Sequence, residues 1–515
     1  MDMSDYVSIL KGDKRIQMTL GGQNQEEMDL EFLFIVGTPP RDVVQYEQIW
    51  QGTNRIGIAN INQIIADTKL APTSLPLSTD ASTFKLKSSI TGHGSEGEFG
   101  QNGGIINHKI SIDDVETFDW IITQECSLNP IFPQGGTWVF DRQGWCPGER
   151  TLMKEHDLTP HVTAGGSLNI DYNTSNPPLL TGDYRYHIAH QVVGYGDANF
   201  QQDAAVVGII APNNSAEFTR VGTICANPSV MIRNTGATQL TQLTINYWLN
   251  DTPTPQTFEW TGSLDFMEEE VVTIPTTAAL WYDLTGTDNV FHVEIANPNQ
   301  GTDEYNYNNT MSSTFNVPDV LPYDMTIEFR TNNNPSENRY DLYDDAGELI
   351  GSNSLPIGPL TYNDDYTLES KCYTLVVTDT GGDGVQWWAN PNQGVGFIRI
   401  RNSGGNIIRE FEPDFGGGFE FNFTTDFPIS TEEIEFVTSL KVYPNPANYI
   451  CTLEGKDLSK TNVHLTNLLG QSISAPVISR SDNAISFDVQ NLDSGVYFIV
   501  IQKGEVVTTR KIVVD

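Results

Sequence analysis

Positive charge is scarce in this chain. Its 515 residues carry 28 Lys and Arg against 66 Asp and Glu, for a formal net charge of −38. A field of that sign repels phosphate backbones and anionic headgroups, which argues against nucleic acid or a membrane surface as partner. Cysteine is scarce too: there are five, none in a Cys-x-x-Cys pair, so no zinc signature exists. Apolar runs such as Phe32-Leu33-Phe34-Ile35-Val36 are far too short to span a bilayer, so no transmembrane segment is expected. The start, MDMSDYVSILKGDKRIQM, lacks a cationic stretch followed by an apolar core and does not read as a signal peptide. Taken alone, that points to the cytoplasm. Over residues 1–215 no amphipathic helical period of useful length is visible.

What is abundant is Thr, Asn, Gly, Asp and Tyr, the mix of strands joined by many turns. The length predicts three to five domains, and the pattern predicts an all-β fold. In EMDLEFLFIVGTPP (27–40), Met28, Leu30, Phe32, Phe34 and Val36 share one face, as in a half-buried strand ended by Gly37 and a proline pair. Strand-like runs recur at FKLKSSI, IINHKISI, FDWIITQ, SLNIDYN, YRYHIAHQVVGYG and AAVVGIIAP, which together fit a jelly-roll sandwich. Residues 216–318 read as an Ig-like sandwich, similar to adhesion-type modules of secreted bacterial proteins, with a spacer or display role. Residues 319–425 read as a further β-sandwich. There Asp379 and Asp383, around the Gly381-Gly382 turn, are placed to hold a structural calcium ion, while a metal-free turn is the commoner arrangement. Trp387-Trp388 offers a sugar platform, though neighbouring strand residues face opposite ways and one of the two belongs to a core. No other cofactor is expected.

The carboxy end contradicts a cytoplasmic address. A polar, acidic linker (426–436) leads into residues 437–515, where VYPNPA, LTNLLGQ and LDSGVYFI…TTRKIVV follow in order. Turn signals at Pro444-Asn445-Pro446, Leu469-Gly470 and Asp493-Ser494-Gly495 separate short strands, giving a small β-sandwich. The segment closely resembles the C-terminal sorting domain of the type IX secretion system of Bacteroidota. That resemblance implies export to the cell surface or beyond and the secretion machinery as a partner. Such cargo first crosses the inner membrane on a signal peptide, so the expectation is that this chain starts downstream of its true amino terminus.

Upstream, ITGHGSEGEFG…NHKISID precedes QECSLNP and GTWVFDRQGWCPGER. With "SLNP…GTW…DRQGWCPG" as its specific part, the order resembles the C-terminal jelly roll of the peptide-N-glycosidase F family, bacterial amidases that remove N-linked glycans from asparagine. The resemblance assigns 42–215 to that jelly roll and 1–41 to the last strands of an incomplete N-terminal one. It pairs Cys126 with Cys146 in a disulfide worth about 3 kcal/mol in the chain-entropy model. It puts Arg142 and Trp145 on substrate-binding positions. Trp138 and His93 also match motif positions, and Asp141 supports the set by orienting Arg142. Cys225, Cys372 and Cys451 fall in separate units without evident partners.

The chemistry fits these residue types. Cleaving a glycosyl-asparagine amide needs a carboxylate to activate water and donors for the developing oxyanion. Indole rings supply flat apolar faces for a sugar. The family's Glu-aromatic pair, flanked by cysteines and followed by a His, is matched by Glu98-Phe99 and His108 when a gap is allowed. In that match Glu96 and Gly100 replace the flanking cysteines, and counted without a gap Asn102 takes the Glu position instead. The resemblance places the family's principal aspartate before the start of this chain and a second glutamate near Thr19-Leu20-Gly21-Gly22, where no acid stands. The chain as given is therefore expected to lack the principal catalytic acid and to be inactive, with Glu98 as its candidate catalytic carboxylate and amide hydrolysis a property of the full-length form. An N-linked glycoprotein is the expected substrate, and a non-catalytic glycan- or protein-binding surface protein is the alternative. A copper-dependent monooxygenase-like jelly roll is a minor third reading, needing clustered imidazoles among His93, His108, His187 and His190.

Overall fold

The structure is a computed structural model that describes residues 3–15, 32, 34, 37–50, 57–94, 97–99, 106–175, 185–218, 220, 227–251, 255–276, 284, 289–353, 358–425, 439–467, 471–503 and 506–514. It is all-β, and its longest helix among the described residues spans five positions, Ile61–Ile65. Two compact units divide at Thr425 and Asp426.

The first sandwich of the larger unit comprises β1 (Arg41–Ile49), β2 (Gly57–Asn60), β3 (Thr73–Pro76), β4 (Thr83–His93), β5 (His108–Ile112), β6 (Val115–Trp120), β7 (Thr123–Gln124), β8 (Arg142–Gln143), β9 (Met153–Asp157), β10 (Ser167–Thr174) and β11 (Arg185–Ala198). One sheet runs β1-β11-β4-β9, with β2 also on β11, and the other runs β3-β10-β5-β6. Alternation does the layering. In β10, Leu168, Ile170 and Tyr172 turn inward, and in β5 so do His108, Ile110 and Ile112. They meet Phe84, Leu86, Ile90, Tyr186 and Ile188 from the facing sheet in one core. The two-residue ribbon β7–β8 lies outside both sheets.

Strand Ala204–Ala211 does not belong to this sandwich, as the run AAVVGIIAP was expected to. It pairs with Ser229–Asn234, and Ala204, Val206 and Ile209 enter the core of the next sandwich. The module placed at 216–318 thus takes its first strand from the preceding segment, because the alternate residues of 204–211 find their apolar partners there. It has a three-strand and a four-strand sheet. The third sandwich stacks a five-strand on a four-strand sheet. Trp387 and Trp388 lie there in a turn, not on a strand. Trp387 is buried and Trp388 is 64% exposed, so one of the two is core, as expected.

The expected strands of 1–41 are not what is described. Residues 16–31, including Thr19–Gly22, fall outside the described residues, and Phe32 and Phe34 are both exposed. Ser4–Tyr6 forms a single turn instead. Asp5 pairs with Lys87, and the Tyr6 hydroxyl donates to Gln191 Oε1 at 3.0 Å, so this turn lies on the β4–β11 surface. The linker 426–436, Cys225, Glu96, Gly100, Asn102 and Leu469-Gly470 also lie outside the described residues. The smaller unit has two four-strand sheets around its own core of Leu453, Leu465, Ile485, Phe487, Ile499 and Ile512.

Candidate functional site

β4 and β11 pair antiparallel with His93 opposite Arg185 and Thr91 opposite His187. Successive residues face opposite ways, so His93 and His187 stand on the same outer face while His190 turns into the core. Beyond His93 the chain doubles back through Gly97-Glu98-Phe99 and meets the ribbon carrying Arg142. Gly92 makes that approach possible: a Cβ there would lie 2.0 Å from Gly97 O and 2.6 Å from Gln143 Cβ. Gly144, at φ +78°, lets the ribbon lie on β4, where a Cβ would sit 2.0 Å from Ile90 O. Gln143 N–H then donates to Glu98 O at 3.0 Å.

These constraints bring Glu98 and Arg142 together. Arg142 Nε donates to Glu98 Oε1 at 3.1 Å. Its Nη1 donates to the carbonyls of Trp138 (3.4 Å) and Phe140 (3.2 Å), and its Nη2 donates to Thr137 Oγ1 at 3.5 Å. The guanidinium carbon stands 5.0 Å from the Trp145 ring centroid and 5.1 Å from that of Phe99. Trp145 stacks on His93 (5.9 Å, 22°) and donates from Nε1 to Gly92 O, and His93 and His187 lie 4.2 Å apart. His93 Nε2 is bonded to Thr91 Oγ1 at 2.8 Å.

The electrostatics follow burial. Arg142 is only 5% exposed, and desolvation lowers its pKa against the opposing pull of Glu98. Burial, then the neighbouring His187 and Arg185, lowers the His93 pKa, with Glu98 working in the other direction. His187 is lowered by burial and by Arg185. Both imidazoles are therefore favoured in the neutral form, able to donate or accept a hydrogen bond. The Glu98 side chain, 30% exposed, keeps one oxygen on the guanidinium and leaves carboxylate surface open to solvent. The result is a carboxylate acceptor beside partly exposed aromatic rings.

The expected residues divide. Glu98, Arg142, Trp145 and His93 meet in one place, and Cys126 is bonded to Cys146 with Cα atoms 5.4 Å apart. Trp138 does not join them. It is completely buried, packs with Val139 and Trp387, and donates from Nε1 to both oxygens of Asp414 at 3.2 Å. It is core between two sandwiches and has no face to offer a sugar. Asp141 does not orient Arg142 either; a backbone hydrogen bond from Cys126 holds it, while burial and then Glu125 raise its pKa. The brace on Arg142 is Glu98. His108, matched with Glu98 by sequence, is fully buried against Tyr172. His190, bonded to Ser88, is in the same core, so the four imidazoles fall on two faces of the sheet and do not converge as copper ligands would.

Sequence comparison bears on this region directly. The family model described as "Peptide-N-glycosidase F, C terminal" matches residues 60–188. That segment is peptide-N-glycosidase F-like. A second model, "Secretion system C-terminal sorting domain", matches residues 441–515. The peptide-N(4)-(N-acetyl-β-D-glucosaminyl)asparagine amidase F of Elizabethkingia miricola is 26% identical over 213 residues, covering 38% of this chain and 57% of that protein. Solved structures of a peptide-N(4)-(N-acetyl-β-D-glucosaminyl)asparagine amidase and of the glycosylasparaginase PNGase F from Flavobacterium meningosepticum are each 23% identical. Each is covered over 55% of its length and 32% of this chain, at a TM-score of 0.24. The chain thus spans little more than half the length of these relatives.

His187 joins this cluster through its contact with His93, a place its sequence position alone does not show. Its signal was its spacing from Arg185, two residues apart on one strand face. That becomes informative only once β11 is known to pair with β4.

Proposed function

We propose that this sandwich recognises the glycosyl-asparagine junction of N-linked glycoproteins and belongs to an exported amidase of the peptide-N-glycosidase F type. The observation that carries the reading is the Glu98–Arg142 pair beside Trp145 and His93, inside the segment matched to that family. The Trp145 ring offers an apolar face to the C–H side of a sugar. Glu98 accepts from the amide N–H or orients a water toward the amide carbonyl. Arg142 is a positioning residue, fixing Glu98 and the loop 137–140. In the reaction, water adds to the asparagine side-chain carbonyl, the C–N bond breaks, and the nitrogen leaves protonated as a glycosylamine, giving aspartate. The sorting tail supports delivery to the outer surface, where glycoproteins are met.

A second reading, glycan binding without turnover, is favoured by one feature. Arg142 is committed to its own loop, which leaves Glu98 as the only carboxylate hydrogen-bonded to it among the described residues. Incubating the full chain with a denatured N-glycoprotein and analysing the peptides by mass spectrometry separates the two. Conversion of glycosylated asparagine to aspartate, slowed roughly 100-fold or more in Glu98→Gln, supports amide hydrolysis. Stable retention of the intact glycopeptide supports the binding protein. Neither release nor retention overturns both.

A further inference from the structure

Three carboxylates converge in the third sandwich, on loops that the proposed glycan site does not use. Glu337 closes the turn Pro335–Glu337, Asp379 ends the strand Cys372–Asp379, and Asp383 follows in the Gly381-Gly382-Asp383-Gly384 turn. One oxygen of each lies within 4.8 Å of the others. Asp379 and Asp383 are 3% and 5% exposed. Burial leads in raising both pKa values, against hydrogen bonds from Asn390 and Gln393 at Asp383 and from backbone N–H groups at Asp379, and no Lys or Arg among the described residues forms an ion pair with either.

The three are not equally occupied. Asp379 braces the turn, accepting from Asn338 Nδ2 (3.0 Å) and the backbone N–H groups of Gly381 (3.2 Å), Asp383 (2.9 Å) and Gly384 (2.7 Å). Asp383 Oδ2 accepts from Asn390 Nδ2 at 2.9 Å, but its Oδ1 is buried and accepts no hydrogen bond. Glu337 Oε2 is in the same condition. That oxygen lies 2.7 Å from where a Cβ at Gly381 would stand, so the glycine clears the space it enters. Buried carboxylate oxygens without donor or countercharge are costly, and a cation relieves the cost directly. All-oxygen donors on two irregular loops suit calcium, which accepts flexible geometry, better than magnesium, which demands a near-ideal octahedron.

We propose that Glu337, Asp379 and Asp383 hold one calcium ion, with loop carbonyls and water completing its coordination. The ion fixes the turn on which the disulfide loop of the first sandwich rests. A Cβ at Gly382 would meet Ser127 Cβ at 3.1 Å, and Gly417 N–H donates to Ser127 O at 2.8 Å, next to Cys126. This inference does not depend on the glycan reading.

The test is calorimetric titration of the EDTA-treated full chain with CaCl₂, alongside thermal melts in CaCl₂, MgCl₂ or EGTA. Wild type should show a calcium site and a calcium-dependent rise in Tm that magnesium at equal concentration does not reproduce. Asp383→Asn and Glu337→Gln, close in shape to the native residues, should each weaken calcium binding by more than about 10-fold. Asp345→Asn, an exposed acid of the same sandwich, should leave it unchanged. Equal titrations for Asp383→Asn and Asp345→Asn would mean diffuse binding to an acidic surface and would overturn the site. So would a Tm raised by Asp383→Asn in a protein whose wild type ignores calcium, the behaviour of two carboxyls sharing a proton.

Discussion

Glu98 and Arg142 stand 44 positions apart in sequence and share one hydrogen bond, which sets what each can do. Arg142→Ala strands the carbonyls of Trp138 and Phe140 as well as Glu98, and should lower stability by about 1–3 kcal/mol. Arg142→Lys keeps the charge but not the planar fork, so denaturant melts should place it closer to alanine than to wild type. Trp138 separates packing from recognition. Buried against Trp387, it should cost about 3–5 kcal/mol on truncation to alanine. Trp138→Phe should fold and bind glycopeptide like wild type. A selective loss of glycopeptide affinity in a well-folded Trp138→Phe would return that residue to the site.

At the scale of elements, the disulfide loop and the core histidines carry separate expectations. Breaking Cys126–Cys146 by paired serine substitutions should cost about 3 kcal/mol for a loop of this length and loosen the Arg142 ribbon. The sandwich core holds His108 and His190 neutral by burial, with pKa values pushed down to about 3, and His156 down to about 4. Unfolded, these groups bind protons near pH 6.5, so the unfolded state takes up more protons between that pH and the folded values. Their contribution to stability is therefore complete above about pH 6.5 and declines as pH falls, down to about 4 for His156 and about 3 for His108 and His190. Each group contributes a slope of up to about 1.4 kcal/mol per pH unit. Denaturant titrations at stepped pH check this, and replacing His190 by an apolar residue should flatten the slope. Legibility also divides at this scale. Period-two alternation exposed β5, β10 and the first half of β11 in the sequence, because there alternate residues turn into one core. It could not assign 204–211 to its sandwich, since the same alternation suits any neighbour with an apolar face. The fate of Trp138 was hidden for a related reason: its partners, Asp414 and Trp387, lie some 250 or more positions away in sequence.

Across the whole molecule, a chain with net charge −38 folds into two units, each with its own core. The smaller unit carries the sorting signal, which three short motifs made readable without a structure. A chain ending at Thr425 should keep the melting transition of the larger unit, because among the described residues that unit's cores are built from residues before Thr425. The family resemblance of the first sandwich was equally plain in DRQGWCPG, while the contacts within it needed coordinates. Sequence offered Arg142 as the hand that grips substrate; the structure commits that hand to the loop and leaves Glu98, Trp145 and His93 partly exposed beside it. The central claim is that this outward set reads a glycosyl-asparagine. The measurement that meets it most directly is the affinity of the full chain for an N-glycopeptide, compared with the same peptide lacking its glycan, for wild type and Trp145→Ala. The account predicts preference for the glycopeptide and its loss, by about 2 kcal/mol or roughly 30-fold, in Trp145→Ala. Equal affinity for the two peptides, or a folded Trp145→Ala that binds the glycopeptide like wild type, would contradict it.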